Sequence, residues 1–411
     1  MKNIAIIGGG AAGMLAALSA ARNGAHVVLF EKNEKLGKKL FITGKGRCNV
    51  TNACETEDFF QNVPVNSKFL YSALYTFTGD QLREMLEEAG CPLKVERGGR
   101  VFPVSDKSSD ILRTLEKLLR SEGVVIRLNQ KVEKLTVEEG CVRGLVAGGK
   151  RQLFDAVILA TGGYSYPLTG STGDGHAMAK QAGHAISDIR PSLIPLLTKE
   201  VEICKEMTGL SLKNVRLTLW EGKKKRYSEQ GEMMFAHFGI TGPLVLSASA
   251  HLSDYAFKDT RIGIDLKPAL SPEKLDARIL RDFSAGPNKQ LKNLLGELFP
   301  RKLIAPVLAQ AGLDGDLPAC QVTREQRDRL AAVTKDFRLH IRGTRPVSEA
   351  IITRGGVNVR EADPSTMQSK KISGLFFAGE LLDVDAYTGG FNLQIAFSTG
   401  YLAGLCAALA D

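Results

Sequence analysis

A short apolar strand, Asn3–Ile7, runs straight into Gly8-Gly9-Gly10-Ala11-Ala12-Gly13, and no other junction in the chain limits its fold as strongly. Gly8 permits a tight turn, Gly10 lets backbone approach a pyrophosphate, and Gly13 lets the following helix pack close to the strand. That helix, Ala11–Asn23, carries small and apolar residues. The free N–H groups at its start, from Ala11 onward, and its positive dipole end are suited to receive phosphate. The next strand, His26–Phe30, ends in Glu31, 18 residues past Gly13, with Lys32 beside it. An acid at that place binds the ribose hydroxyls of a dinucleotide and repels a 2′-phosphate, which disfavours NADP. A lone GxGxxG would be weak evidence. Strand, motif, helix, strand and acid in that order argue against a plain glycine-rich turn.

Two further glycine-bearing segments extend the pattern. One is Thr43-Gly44-Lys45-Gly46-Arg47-Cys48-Asn49. The other begins at Gly374, passes Gly379-Glu380 and continues into Thr388-Gly389-Gly390-Phe391-Asn392-Leu393-Gln394. A cofactor gripped from both ends of 411 residues is buried and permanent, which favours FAD over a nicotinamide that exchanges. The continuous apolar run Phe154–Ala160 reads as a parallel strand buried on both faces. Its end, Ala160-Thr161-Gly162-Gly163, offers backbone a close approach to the same cofactor. Gly170–Gly175 does not repeat the GxGxxG register, so a separate NAD(P) domain is not expected there.

The length allows two or three domains. The first part, residues 1–190, contains helical patterns at Lys68–Gly90 and Asp110–Glu122, and a turn or strand at Gly98–Pro103. Val124–Leu128, Lys131–Val137 and Val142–Val146 read as mutually pairing strands. Pro191 and Pro195 mark a boundary, after which residues 191–268 are β-rich: Val215–Trp220, Arg226–Phe235 and Arg261–Leu266. Helical patterns follow within 269–337, at Pro272–Phe283, Lys289–Gln310 and Thr323–Phe337. After this 191–345 insert, residues 346–411 return to α/β, ending in the helix Leu393–Leu409. The fold class is therefore α/β, a discontinuous Rossmann-like domain carrying an insert.

The net charge is +9. Lys38, Lys39, Lys45 and Arg47 crowd the second glycine loop, while Lys223–Arg226 reads as a solvated hairpin tip. The charge shows no interleaved aromatic pattern, so nucleic-acid recognition is disfavoured as a primary role. Seven scattered cysteines form no CxxC pair, and the histidines have no metal spacing, so no metal site is expected. The start Met1-Lys2-Asn3 leaves no room for a signal peptide, and Ala386–Ala410 reads as a loop and buried helix, not a membrane span. A cytoplasmic protein is expected.

Thr43–Asn52, Gly170–Gly175, Gly231–Pro243, Thr353–Val357 and Gly374–Gln394 together resemble the BaiN/RdsA-type family of FAD-dependent oxidoreductases, which includes aminoacetone oxidase. Ala236 departs from the Thr or Ser expected before His237. The resemblance implies a two-part FAD domain interrupted by an insert with β-barrel-like and helical portions. It also implies that Ala12 and Gly13 touch the pyrophosphate, that Glu31 holds the ribose, and that Val132 binds near the adenine through its backbone. Glu380, Asp383, Asn392, Leu393 and Gln394 would line the ribityl and isoalloxazine end.

Two chemistries fit: reduction of a conjugated or keto compound with electrons from NAD(P)H, and O2-dependent amine oxidation. A flavin-dependent RNA-modifying or RNA-binding protein is an alternative of another class. If the last helix begins near Asn392, its N–H groups would stabilise the reduced flavin. Cys48, beside Arg47, lacks a partner for disulfide chemistry and reads better as a small side chain packed by the cofactor. His237, in Phe-Ala-His-Phe-Gly, is the acid/base candidate, with a structural histidine equally open.

Overall fold

The computed structural model describes residues 1–253 and 255–410; Asp254 and Asp411 lie outside the described residues. It divides into two units, Met1–Ser192 with Pro346–Asp411, and Leu193–Arg345.

The first unit is built on a five-stranded parallel sheet. Its order is Leu375–Phe377, Ala156–Leu159, Asn3–Ile7, His26–Phe30 and Val125–Arg127. The middle strands are apolar and buried, with the helices Ala11–Arg22 and Phe391–Leu409 and the strand Cys141–Ala147 packed against the sheet. The helix Ala11–Arg22 buries an unbroken run from Ala12 to Ala20. It packs against the last helix, Phe391–Leu409, through small residues: a Cβ on Gly400 or Gly404 would lie 2.2 Å from the carbonyl oxygen of Ala12 or Ala16. Phe391–Leu409 is long and apolar enough to cross a membrane by composition, yet much of it is buried against this core.

Val125–Arg127 forms the outer strand of the parallel sheet instead of joining Val132–Glu138 and Cys141–Ala147, which pair with Lys150–Leu153. The sequence grouped all three because each is short and apolar-rich, but Val125 follows a helix, Ser108–Ser121, and that crossover returns it to the main sheet beside His26–Phe30.

The second unit is a closed antiparallel barrel with helices. Barrel order is Leu196–Thr198, Gly239–Thr241, Lys224–Ala236, Ser211–Glu221, Thr260–Asp265 and Phe337–Thr344, the last pairing back to the first. Alternation sets its inside: Leu217, Leu219, Ile262, Ile264, Leu339 and Ile341 are fully buried. Leu196–Thr198 and Gly239–Thr241 escaped the sequence reading because three residues carry no period. The pairing of Glu221 with Lys224 closes the hairpin whose basic tip is exposed. The helices Pro272–Ser284 and Arg324–Lys335 start on side-chain caps from Ser271 and Thr323, each worth about 1 kcal/mol. The pattern at Lys289–Gln310 is two helices, Leu291–Leu294 and Arg301–Ala311, with Pro300 as the N-cap residue of the second.

Candidate functional site

The glycine turn 8–13, the strand end 160–163 and Gly379 each follow the carboxyl end of a strand of the parallel sheet, and steric limits explain several of their glycines. Gly8 has φ +108° and donates its N–H to Phe30 O, while a Cβ on Gly13 would lie 1.8 Å from Gly8 O. Gly10 differs: a Cβ there would meet nothing within 4 Å. The first helical bond runs from Met14 N–H to Gly10 O, so the N–H groups of Ala11, Ala12 and Gly13 precede the ladder. Bare backbone, open space and a helix start without acidic residues fit a pyrophosphate.

Glu31 is buried, and it braces the turn. Its Oε2 accepts the Gly9 N–H at 2.8 Å; its Oε1 accepts the Asn33 N–H at 2.8 Å and Asn33 Nδ2 at 2.7 Å. A carboxylate has about four acceptor sites, so about one remains for a ribose hydroxyl. Lys32 turns away to Thr172 Oγ1 and Asp174 Oδ2, at 2.6 and 2.7 Å. Val132 is buried at the start of its strand, opposite Ala147.

The second loop holds four positive-φ positions in five residues, Gly44, Lys45, Gly46 and Cys48, with Arg47 between the last two. Arg47 ion-pairs with Glu96 and Asp106 and lies 4.1 Å from the Phe102 ring centre, so its charge is spent within the protein. Asn49 Oδ1 accepts the Val101 N–H. Cys48 is fully buried, and burial pushes its thiol up to about 12, which removes a nucleophilic role at neutral pH.

The strand end Ala160-Thr161-Gly162 sits on the glycine turn, with Gly8 against Ala160 O. Glu380 follows Gly379, whose own Cβ would lie 2.8 Å from Ala12 Cβ. Its carboxylate is the centre of a knot the sequence did not reveal: Oε2 accepts Lys39 Nζ at 2.5 Å, and Oε1 accepts Ser165 Oγ at 3.0 Å and the Thr353 N–H at 2.8 Å. Thr353 Oγ1 in turn accepts the Tyr164 and Ser165 N–H groups. Asp383 contributes backbone, accepting Asn66 Nδ2 through its carbonyl.

The last helix begins at Phe391, after Gly390 at φ +100°, where a Cβ would lie 2.2 Å from Thr51 O. Asn392 clamps the preceding loop, exchanging hydrogen bonds with the Ala386 backbone. Gln394 is buried between Thr51, Ser398 and Phe77 O. Leu393 is partly buried on the core. The Phe391, Asn392 and Leu393 N–H groups precede the first helical bond, from Gln394 to Gly390.

Two buried titratable groups carried no sequence signal. Asp385 is fully buried; Oδ2 accepts Ser192 Oγ at 2.6 Å and Oδ1 has no partner. Burial raises its carboxyl to about 6, against the Ser192 hydrogen bond and the Arg354 charge. His176 is stacked on Tyr164, and burial lowers it to about 4 against the nearby Glu380 charge and the Leu381 backbone.

In the second unit, His237 follows the strand Lys224–Ala236 in the turn into Gly239–Thr241. Its ring is exposed, edge-on to Phe238 at 5.1 Å. Among the described residues, no group of three or more His, Cys, Asp or Glu side chains is placed to hold a metal.

A parallel dinucleotide-binding sheet with this glycine turn, bearing a closed-barrel insert, defines an FAD-dependent oxidoreductase. The chain belongs to the family described as HI0933-like protein Rossmann domain, whose model matches residues 2–406. It is 34% identical over 414 residues to a 3-dehydro-bile acid delta(4,6)-reductase of Clostridium scindens, covering 99% of each. It is 30% identical to a ribosomal RNA dihydrouridine synthase of Haemophilus influenzae, covering 97% of each. Among solved structures, the 3-ketosteroid delta1-dehydrogenase of Sterolibacterium denitrificans shares the fold over 100% of both chains, with a TM-score of 0.53 and 15% identity.

Glu31→Ala is expected to weaken FAD retention by about 1.5–3 kcal/mol, the worth of a charge-assisted hydrogen bond, and to loosen the glycine turn through Gly9. Flavin absorbance per chain after dialysis measures it, against a wild type holding one FAD. Unchanged retention would place the ribose acid elsewhere.

Proposed function

We propose that this chain is a reductase that takes electrons from NAD(P)H through bound FAD and adds two hydrogens across a carbon–carbon double bond conjugated to a carbonyl. The observation that carries this reading is the end-to-end similarity to a delta(4,6)-reductase at 34% identity. The dihydrouridine synthase relative supports the same bond change, since its name denotes hydrogen added across a pyrimidine double bond. Bound FAD supplies the hydride transfer.

In this reading the N–H groups of Ala11, Ala12 and Gly13 hold the pyrophosphate, with Gly8 and Gly10 giving it room, and Glu31 takes a ribose hydroxyl. Lys32, Val132 and the Ala160-Thr161-Gly162 backbone border the adenosine half. Gly44, Arg47, Cys48 and Asn49 shape a wall with their backbone, since their side chains are engaged or buried within the protein. Glu380, fixed by Lys39, Ser165 and Thr353, sets the position of Gly379 against Ala12. The helix start at Gly390–Leu393 offers N–H groups to negative charge, and Asp383, Asn392 and Gln394 hold that start in place. Hydride addition to one carbon requires a proton on the other. His237 is the residue we assign to that transfer, because its imidazole is exposed and its nitrogens are free of protein hydrogen bonds among the described residues.

Anaerobic stopped-flow mixing with NADH or NADPH tests the reading. The flavin should bleach with one of them and regain its colour on adding a cyclic enone faster than on adding air. Bleaching by an amine, with rapid reoxidation by O2, would establish the oxidase alternative instead.

One observation favours a second reading, an RNA substrate. Leu193–Arg345 carries 25 Lys and Arg against 18 Asp and Glu, so +7 of the chain's +9 lies in the barrel unit. Binding of ribosomal RNA fragments that falls steeply with salt would support it. Retention of the same RNA equally by a basic control protein would count against it.

A further inference from the structure

A cleft of about 530 Å³ opens on the first unit between the segment 35–42, tied to the glycine turn by the Gly37 N–H bond to Gly9 O, and the turn 166–169. Its walls are apolar and unusually open to water: Phe41 and Ile42 are each 42% exposed, and Leu168 is 92% exposed. Leu168 projects because the turn is wound backwards on both sides of it, at Tyr166 (φ +53°) and Gly170 (φ +104°). Apolar side chains held out in one concavity of this size are the usual lining of a small-molecule site.

The charge at the cleft is ordered. Lys35 Nζ lies 5.2 Å from the centre of the Phe41 ring and forms no ion pair among the described residues. Among the described residues, Lys38 ion-pairs with the exposed Glu34 alone, one turn away at 3.1 Å, a contact weak enough to yield to a ligand. Glu349, next to the lining residue Ser348, lies near enough to Tyr166 to act on its hydroxyl. On the far wall, Lys39 Nζ lies 5.9 Å from the Tyr166 ring centre while bound to Glu380. One side chain thus separates the cleft from the carboxylate knot.

We infer that this cleft binds a flat apolar molecule carrying an anionic group, its rings against Phe41, Ile42, Tyr166 and Leu168 and its anion at Lys35 and Lys38. Two aromatic walls suit a ring system, and two ammonium groups at one end select an anion over a neutral ligand. The inference concerns binding alone and does not depend on the reaction assigned above.

The test is calorimetric titration of the FAD-loaded protein with 2-naphthoate and with its neutral match, 2-naphthamide. One naphthoate per chain should bind about tenfold more tightly than the amide, and added salt should erase that margin. K35E/K38E should weaken naphthoate about tenfold or more and leave the amide unchanged; L168D should weaken both. Far-UV circular dichroism and FAD content confirm that the variants fold, and K35Q/K38Q replaces the charge reversal if it does not. Equal affinity for acid and amide, or naphthoate binding that neither variant alters, would overturn the inference. Absence of naphthoate binding would overturn it as well. None of these outcomes bears on whether an enone reoxidises the flavin.

Discussion

His237→Gln is expected to slow enone-dependent reoxidation of the reduced flavin by about 10²–10⁴-fold, the usual worth of a general acid–base group. Glutamine keeps the approximate length and the hydrogen-bonding ability of imidazole but cannot carry the proton. FAD content and melting temperature should stay close to wild type. The ring is exposed, it meets the Phe238 ring edge-on, and the neighbouring core residues Phe235 and Ile240 are buried without its help. The rate of flavin reduction by NAD(P)H should also be unchanged, since that step delivers hydride without a proton to the substrate. A variant with full turnover, or one losing FAD and stability together, would return His237 to a structural role.

Asp385→Asn is expected to stabilise the protein above pH 6 and to make no difference below about pH 4. The carboxyl titrates near 6 in the fold against an ordinary value of 3.8. Below 3.8 it is protonated in both folded and unfolded chains, so stability does not depend on it. Between 3.8 and 6 the unfolded chain ionises while the folded one keeps its proton, so stability falls as pH rises. Above 6 the fold must hold a buried carboxylate with one oxygen unpartnered, a cost on the order of 3 kcal/mol at 1.36 kcal/mol per pKa unit. Asparagine keeps the Ser192 hydrogen bond and cannot ionise. Melting curves from pH 4 to 8 at fixed, saturating FAD measure the difference. Parallel curves for the two proteins would show that Asp385 ionises as freely in the fold as outside it.

The fold was legible where local chemistry repeats or where a turn has one solution. Gly8, Gly13 and Gly390 announce themselves because any side chain would strike a carbonyl. The barrel strands Ser211–Glu221 and Lys224–Ala236 are long enough to show alternation. Three-residue strands and the outer strand Val125–Arg127 were not legible, because their placement is decided by what they pair with. The same limit applies to the candidate site. Lys39 and Glu380 stand 341 residues apart, and no spacing predicts their meeting. Arg47 looked like a cofactor contact because it sits in a glycine loop; its partners, Glu96 and Asp106, lie in segments that carry no motif. Asp385 and His176 were invisible for the opposite reason, since a carboxylate or imidazole in sequence looks solvated until burial is known.

The close seat of Gly400 and Gly404 on the carbonyls of Ala12 and Ala16 has a consequence for synthesis. The first helix made has its apolar face covered by the last one, and the edge strand Leu375–Phe377 also arrives late. On the ribosome, Leu193–Arg345 therefore has all its own strands and helices in hand before the nucleotide-binding half has its full complement. The nascent N-terminal segment waits with its glycine turn formed on one side only. Truncation within the last helix is therefore expected to leave the barrel unit folded and the flavin unbound.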